Sequence, residues 1–278
     1  MQLLLGLGWL DDALYGAAAK LIDNSLGGDQ LESVLKVVGF TQGITGINFS
    51  LFWDVINKGL SFVTPFGYAL ITTYFLMYLF DAASKDQVTV DSVIKVLIQL
   101  VMVVAVMGNL ALIINAFLSI AESLLASVSG FSDPTASISV SGTTIVNQWR
   151  STGEDTALTI LIQSLGIWLI HQIAIIAIDF AGIARLLEVG WRIVFAPVGV
   201  ANCFEGGANS AGVKYLKSLL GACLSGVAIY IVAAAGFAIT ASFLTSPTGA
   251  AMWLADAAFL GTAGAAIGIS NKIREVIA

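Results

Sequence analysis

Long apolar stretches, separated by short polar segments, dominate the hydrophobic pattern from residue 60 onward. A helix that crosses a bilayer needs about 20 consecutive apolar residues, because backbone groups in hydrocarbon are satisfied only within a continuous helix. Five stretches meet this requirement, and only Ser246 to Gly249 separate the last two. The pattern therefore predicts five membrane spans, at residues 60–80, 96–121, 157–178, 218–245 and 250–270.

The first 59 residues have a different pattern. Between Asp11 and Val38 the apolar residues recur at helical spacing in two short stretches, with Gly27 and Gly28 between them. Each stretch is too short and too charged to cross a bilayer. We predict two amphipathic helices that form an extracytoplasmic or interfacial cap over residues 1–59, followed by a transmembrane domain over residues 60–278.

The composition agrees with a lipid-embedded chain. Hydrophobic residues make up 58% of the 278 residues and charged residues 11%, and the mean hydropathy is +0.92. A water-soluble protein carries about a quarter of its residues as charged side chains to cover its surface. The predicted fold class is all-α, a polytopic membrane helical bundle.

The segment 179–217 is neither a plain loop nor a span. Ala181–Phe195 keeps helical apolar spacing, with Arg185 and Arg192 seven residues apart, so we expect the third spanning helix to continue as an amphipathic extension. Ala196-Pro197 should end that helix, because the residue before a proline avoids the helical conformation.

Lysine and arginine near the ends of the spans predict the orientation, because an excess of these residues marks the cytoplasmic side. The excess falls in three places, the connections 81–95 and 179–217 and the tail after residue 270. We therefore expect segment 179–217 and the C-terminus to be cytoplasmic, and the N-terminus to be outside.

The connection between the second and third spans is rich in serine and contains Asp133-Pro134. These features predict a surface loop over residues 122–156. The alternating residues 137–141 predict a short strand within it.

One family resemblance is carried by the segment after the third span. It rests on Arg192, Ala196-Pro197, Glu205-Gly206-Gly207, Ser210, Gly212 and Tyr215-Leu216-Lys217. In these residues the chain resembles the TrbL family, polytopic inner-membrane components of conjugative and other type IV secretion machines. The five-span layout is similar to the usual layout of that family over residues 60–278, whereas residues 1–59 match no motif of it.

The resemblance implies a channel or scaffold subunit in the bacterial inner membrane. Such a subunit would contact transferred single-stranded DNA or protein and work with other machine subunits, including a separate ATPase.

The basic residues of segment 179–217 have two interpretations. Arg185, Arg192, Lys214 and Lys217 are candidates to contact nucleic-acid phosphates. The interpretation that the sequence favours is that they anchor the chain at the membrane surface by binding lipid phosphates. Pro197, Glu205 and Gly207 join them as candidate channel or assembly residues through the resemblance.

Two ionisable residues lie inside predicted spans, where such residues are costly and often functional. Asp256 lies in the fifth span and His171, the only histidine, in the third. Asp256 either faces a lumen or subunit contact or reaches the interface. His171 either relays protons or donates a hydrogen bond to a neighbouring helix.

Small residues recur at spacings that allow helices to approach closely. The pairs are Gly221 with Ser225, Ala257 with Gly261, and Gly264 with Gly268. They predict close helix packing and favour a homo-oligomer.

Catalytic motifs are not evident in the sequence. We found no phosphate-binding glycine loop with a lysine, no metal-binding cluster and no protease motif. We expect a non-enzymatic protein with no cofactor. The alternative to a secretion subunit is a small-solute transporter or pore.

Overall fold

A computed structural model describes residues 8–26, 29–39, 49–84, 90–131, 141–152, 156–204, 210–245 and 249–277. Within these ranges every regular element is a helix, which confirms the all-α class. The helices are α1 Gly8–Leu26, α2 Asp29–Val38, α3 Ser50–Ser84, α4 Val90–Gly108, α5 Leu110–Phe131, α6 Gly142–Thr152, α7 Ala157–Val194, α8 Ala196–Ala201, α9 Ala211–Leu244 and α10 Gly249–Ile277, with a 3₁₀ turn at Asn202–Phe204 after α8.

Among the described residues, four helices are long and apolar enough to cross a membrane, namely α3, α5, α7 and α9. The segments Val93–Gly108 and Trp253–Ile269 are shorter apolar helices. The chain is thus a multi-pass helical protein with membrane-spanning candidates. The predicted spans 60–80, 157–178, 218–245 and 250–270 correspond to parts of α3, α7, α9 and α10, and each of these helices extends beyond the predicted limits.

The predicted span at residues 96–121 corresponds to most of α4 and the first part of α5, which are separated by the single residue Asn109. The Asn109 N–H is shared between the carbonyls of Ala105 and Val106, both at 3.2 Å, and the Asn109 side-chain amide also donates to Ala105 at 2.8 Å. Asparagine after glycine is a common helix-ending pair, so Gly108-Asn109 carried a signal for this break.

The prediction of a surface loop over residues 122–156 is wrong for most of the described part. Helix α5 continues to Phe131, and α6 occupies Gly142–Thr152. Ser141 caps α6, because its hydroxyl accepts a hydrogen bond from the Thr144 N–H at 3.2 Å. Burial of Ile145, Val146 and Trp149 on one face stabilises this helix. The predicted strand lies almost entirely in 132–140, outside the described ranges.

The chain packs as two compact units. The first contains the described residues of Met1–Gly39, Leu125–Ile183 and Val227–Ile269. Its core includes Ile22 and Val34 from the N-terminal helices together with Ile167 and Phe259. Residues 8–39 therefore pack together with helices of the predicted transmembrane domain, and the predicted boundary at 59/60 lies inside α3.

The second unit contains the described residues of Phe40–Leu124, Ala184–Gly226 and Ser270–Ala278. Its core is formed by α3, α4, the first part of α5, the end of α7, α8 and the start of α9. Val96, Val103, Met107, Leu110 and Ile114 contribute one buried face that continues at helical spacing across the break at Asn109. This unit holds the candidate functional site.

Candidate functional site

The chain between α7 and α9 forms a buried elbow, defined here as residues 195–204. Helix α7 ends at Val194, one residue before the predicted end at Phe195, but Ala196 is helical as the first residue of α8, so the expectation that the residue before Pro197 avoids the helical conformation is wrong. Phe195 lies outside the helix, and its carbonyl accepts hydrogen bonds from Val198 and Gly199, both at 3.1 Å. All residues of α8 except Val198 are buried, as is Phe204 in the 3₁₀ turn.

The elbow packs along the middle of α3. A Cβ atom added to Gly67 would lie 2.8 Å from Pro197 Cβ, so only glycine allows this approach without a shift. Further along the same two segments, the Tyr74 hydroxyl donates a hydrogen bond to the Asn202 side-chain oxygen at 2.9 Å. The elbow and α3 therefore lie side by side from Gly67 to Tyr74.

Helix α9 returns from the elbow antiparallel to α7. Ser210 caps its start, since its hydroxyl accepts a hydrogen bond from the Val213 N–H at 3.2 Å. Gly212 lies directly against Cys203, and Gly199 against the Tyr215 ring, so that a Cβ at either glycine would clash. Two glycines thus allow the returning helix to contact the elbow.

Arg185 occupies the interface between the end of α7 and the start of α9. It is only 2% exposed. Its guanidinium donates to the backbone carbonyl of Ala222 at 3.2 Å and to that of Cys223. A side chain at position 226 would overlap the guanidinium, so Gly226 provides the space for it. Arg185 therefore joins the two helices through main-chain acceptors.

A second polar group lies about two turns further along α7. Arg192 forms an ion pair with Glu188 at 2.9 Å, with the two side chains 12% and 17% exposed. Arg192 also donates to the Ser218 hydroxyl of α9 at 2.6 Å, and the Tyr215 hydroxyl donates to the Arg192 carbonyl. These bonds attach the last turns of α7 to the first turns of α9.

The predicted basic residues are thus used in two ways. Arg185 and Arg192 bind groups of their own chain, and this internal use accounts for their helical spacing. Lys214 and Lys217 are exposed on α9. Glu205 and Gly207 fall in 205–209, outside the part of the chain that the structure describes.

The two ionisable residues of the predicted spans lie in the first unit. His171 is 0% exposed and makes edge contacts with the rings of Phe237 and Phe259, at centroid distances of 5.4 and 4.4 Å. Within the described residues neither ring nitrogen has a hydrogen-bond partner, and neither does the buried Oδ1 of Asp256. The hydrogen bond expected from His171 to a neighbouring helix is not formed there.

The predicted small-residue pairs differ in their surroundings. Gly221 and Ser225 are buried on α9. Gly261, Gly264 and Gly268 are exposed on α10, and a Cβ added at any of them would meet no atom within 4 Å. Among the described residues, this face of α10 has no partner in the chain.

No family model, curated protein or solved structure matches this chain.

The position of the elbow brings two predictions into conflict. Residues 60–80 of α3 are free of charged side chains and were assigned to a span, whereas segment 179–217 was assigned to the cytoplasm. The elbow contacts α3 at Gly67 and Tyr74, in the middle of that span. Where this stretch of α3 crosses a membrane, the elbow residues that contact it lie at the same depth.

Several residues of the site were not expected from the sequence. The glycines at 59, 67, 199 and 226 do not form a sequence motif. Each leaves room for a residue that is distant in the sequence. The ion pair between Glu188 and Arg192 could have been predicted from the sequence, since Glu188 precedes Arg192 by four residues, the spacing of a helical ion pair.

Proposed function

We propose that the chain is a non-catalytic membrane subunit of a type IV secretion machine, with the elbow as a broken-helix element at membrane depth. The observation that carries the proposal is that residues of the family resemblance are also residues of the elbow and of its contacts. Among the residues that carry the resemblance to the TrbL family, Pro197 lies in the elbow, Gly212 and Tyr215 pack against it, and Ser210 caps the helix that returns from it. The resemblance therefore corresponds to a structural element with defined contacts.

An elbow at membrane depth must have its backbone polar groups satisfied within the protein or by water. Non-helical backbone occurs there only where protein covers it or where it lines a water-filled cavity. The described elbow is mostly helical, and the carbonyl of Phe195, the one residue between α7 and α8, accepts hydrogen bonds from Val198 and Gly199. Ala196, Val200 and Ala201 of α8 are 0% exposed and pack in the core of the second unit. Interrupted helices of this kind form transport paths in other membrane proteins.

The two exposed lysines support a conduit at this depth. Lys214 and Lys217 lie on the turns of α9 that contact the elbow through Gly212 and Tyr215. Ionisable side chains within membrane segments face a protein interior or water rather than lipid. We infer that these lysines face an aqueous path, where their charge favours single-stranded DNA or acidic protein segments.

The proposed conduit implies two kinds of partner, further copies of this chain and a separate ATPase. A path large enough for a polymer needs several subunits, and the open glycine face of α10 offers a surface for a second copy. Energy for transfer would come from a separate ATPase, because the sequence contains no phosphate-binding glycine loop with a lysine. The orientation in the bacterial inner membrane, with the N-terminus outside, stays a prediction.

The proposal is tested by gene deletion and complementation in the native host, with transfer frequency as the measurement. The gene should be required for transfer, and the double variant Lys214→Gln/Lys217→Gln should reduce transfer at least tenfold while the protein remains in the membrane. Lys272→Gln, an exposed lysine on α10, is the control and should have no effect.

Two results would reject the secretion function. One is transfer that proceeds without the gene. The other is a purified chain that moves a small solute across liposomes without any other subunit, which would favour a transporter or pore.

A further inference from the structure

A long groove runs along the outside of α3, in the second unit. It has a volume of about 650 Å³. Helix α3 forms one side, from Gly59 to Thr73, and Val194, Phe195 and Val198 form the other. Two of its lining residues, Phe62 and Phe66, are 72% and 58% exposed, so the groove is open to the surroundings of the protein.

The lining of the groove is apolar. Thr73 is the one lining residue with a polar side chain, and its hydroxyl donates to the carbonyl of Ala69 at 2.9 Å. The remaining lining residues are aliphatic, aromatic or glycine. An apolar groove on a charge-free stretch of a membrane helix favours a hydrocarbon occupant.

The length of the groove matches a lipid chain. Gly59 and Thr73 are separated by 14 helical positions, or about 21 Å at a rise of about 1.5 Å per residue. One leaflet of a bilayer contributes about 15 Å of hydrocarbon. The α3 side of the groove is therefore long enough for a single acyl chain over the depth of its leaflet, and Val194, Phe195 and Val198 flank part of this length.

A cationic residue lies at one end of the groove. Lys58 immediately precedes Gly59 and is exposed, and no charged residue follows on α3 until Asp81. The charge is therefore at the end where a headgroup would be, and the opposite end continues into apolar sequence. Lysine at such a position attracts lipid phosphate, with Asp54 one turn earlier available to a headgroup amine.

We propose that this groove binds one acyl chain of a resident phospholipid, with the lipid phosphate beside Lys58. The occupant is a lipid rather than a helix from a second copy, because an apolar groove with a cationic residue at one end suits an acyl chain and its phosphate headgroup. The lipid would cover Phe195 and Val198, and so the membrane-facing side of the elbow. The proposal does not depend on which cargo the protein transfers.

The test measures phospholipid phosphorus on the full-length chain, purified in detergent and washed until free lipid is removed. About one phospholipid per chain should remain. Ala69→Phe fills the groove and should reduce the retained lipid at least threefold. Thr72→Phe is the matched control, since Thr72 is exposed on the same helix but does not line the groove.

A second variant tests the contribution of the lipid headgroup separately from that of the acyl chain. Lys58→Glu should lower retention of anionic lipid relative to phosphatidylethanolamine, without disturbing the groove. Absence of retained lipid in the unmodified chain, or equal retention in Ala69→Phe and Thr72→Phe, would overturn the proposal. A disulfide between copies that each carry Phe66→Cys would also overturn it, because the groove would then be a subunit contact.

Discussion

Arg185 places a positive charge between two largely apolar helices, near the end of α7 and the start of α9. Its guanidinium is bound by the carbonyls of Ala222 and Cys223, which are main-chain groups and cannot be removed by substitution. Such an arrangement satisfies donors that would otherwise be buried without acceptors. The residue that makes it possible is Gly226, which leaves room for the guanidinium.

We predict that Gly226→Ala lowers the free energy of unfolding by about 1–3 kcal/mol, the usual cost of overpacking. The same change should cost much less in an Arg185→Met background, because the overlapping group is gone. The double-mutant cycle is measured by unfolding in detergent micelles.

Gly166→Ala is the control for this cycle. A Cβ at position 166 meets no atom within 4 Å, and the change should be neutral or slightly stabilising. Equal costs of Gly226→Ala in the two backgrounds would show that Gly226 does not accommodate Arg185.

His171 presents the opposite situation, a buried polar ring without a hydrogen-bond partner among the described residues. The space beside the ring is too small for a water molecule, and the side chains around it are apolar apart from that of Thr262. An unsatisfied buried donor or acceptor costs about 1–3 kcal/mol.

We therefore predict that His171→Phe raises the unfolding temperature in detergent. Ser164→Ala, one heptad earlier on α7, should leave it unchanged because the Ser164 hydroxyl only bonds the Ile160 carbonyl of its own helix. A lower unfolding temperature for His171→Phe would indicate that the ring has a polar partner in the assembled protein.

At the scale of elements, the defining feature is the long helix α7, its stop at Val194 and its packing on α3. Gly59 and Val194 face each other at this point, with 3.7 Å between a Cβ added at Gly59 and the Cβ of Val194. This separation lies within the range of about 3.5–4.5 Å that disulfides require.

We predict that Gly59→Cys with Val194→Cys forms a disulfide in native membranes, once Cys203 and Cys223 have been replaced by alanine. The bond would be detected as a change in mobility on a non-reducing gel. Ser61→Cys with Val194→Cys is the matched control, since Ser61 is exposed on α3 and does not line the groove at Val194. Oxidation of the control pair to the same extent would contradict the packing of α3 on α7.

Helix existence could be predicted from the sequence because long apolar runs and proline stops are local signals. The proline at 197 indicated an interruption close to the observed end of α7 at Val194, although Ala196, which the proline rule places outside a helix, begins α8. The break at Asn109 was missed because the apolar run continues through it. The packing of Pro197 on Gly67 could not be predicted, since these residues are far apart in sequence and neither belongs to a motif.

At the scale of the whole molecule, the described chain leaves one small-residue face open. Gly261, Gly264 and Gly268 are exposed on α10. Faces of this kind allow close helix association in lipid. This face is where the proposed homo-oligomer is expected to form.

We predict that Gly264→Leu lowers the oligomer mass measured by light scattering in mild detergent, because the added side chain keeps the helices apart. Ala111→Leu introduces the same group at an exposed position on a different helix, α5, and should preserve the oligomer. A monomeric unmodified chain, or an oligomer that persists in Gly264→Leu, would contradict an interface on this face.

The central claim is that the elbow lies within the membrane beside α3. It is tested most directly by spin labels at Phe66→Cys on α3 and Phe195→Cys on the elbow, both exposed, in a cysteine-free chain reconstituted into bilayers. Power saturation compares access to oxygen, which concentrates in lipid, with access to a water-soluble nickel complex. The exposed Ser141→Cys, which caps α6, is the aqueous control. We predict that both labels favour oxygen to a similar degree, whereas a Phe195 label with the nickel access of the Ser141 label would contradict the claim.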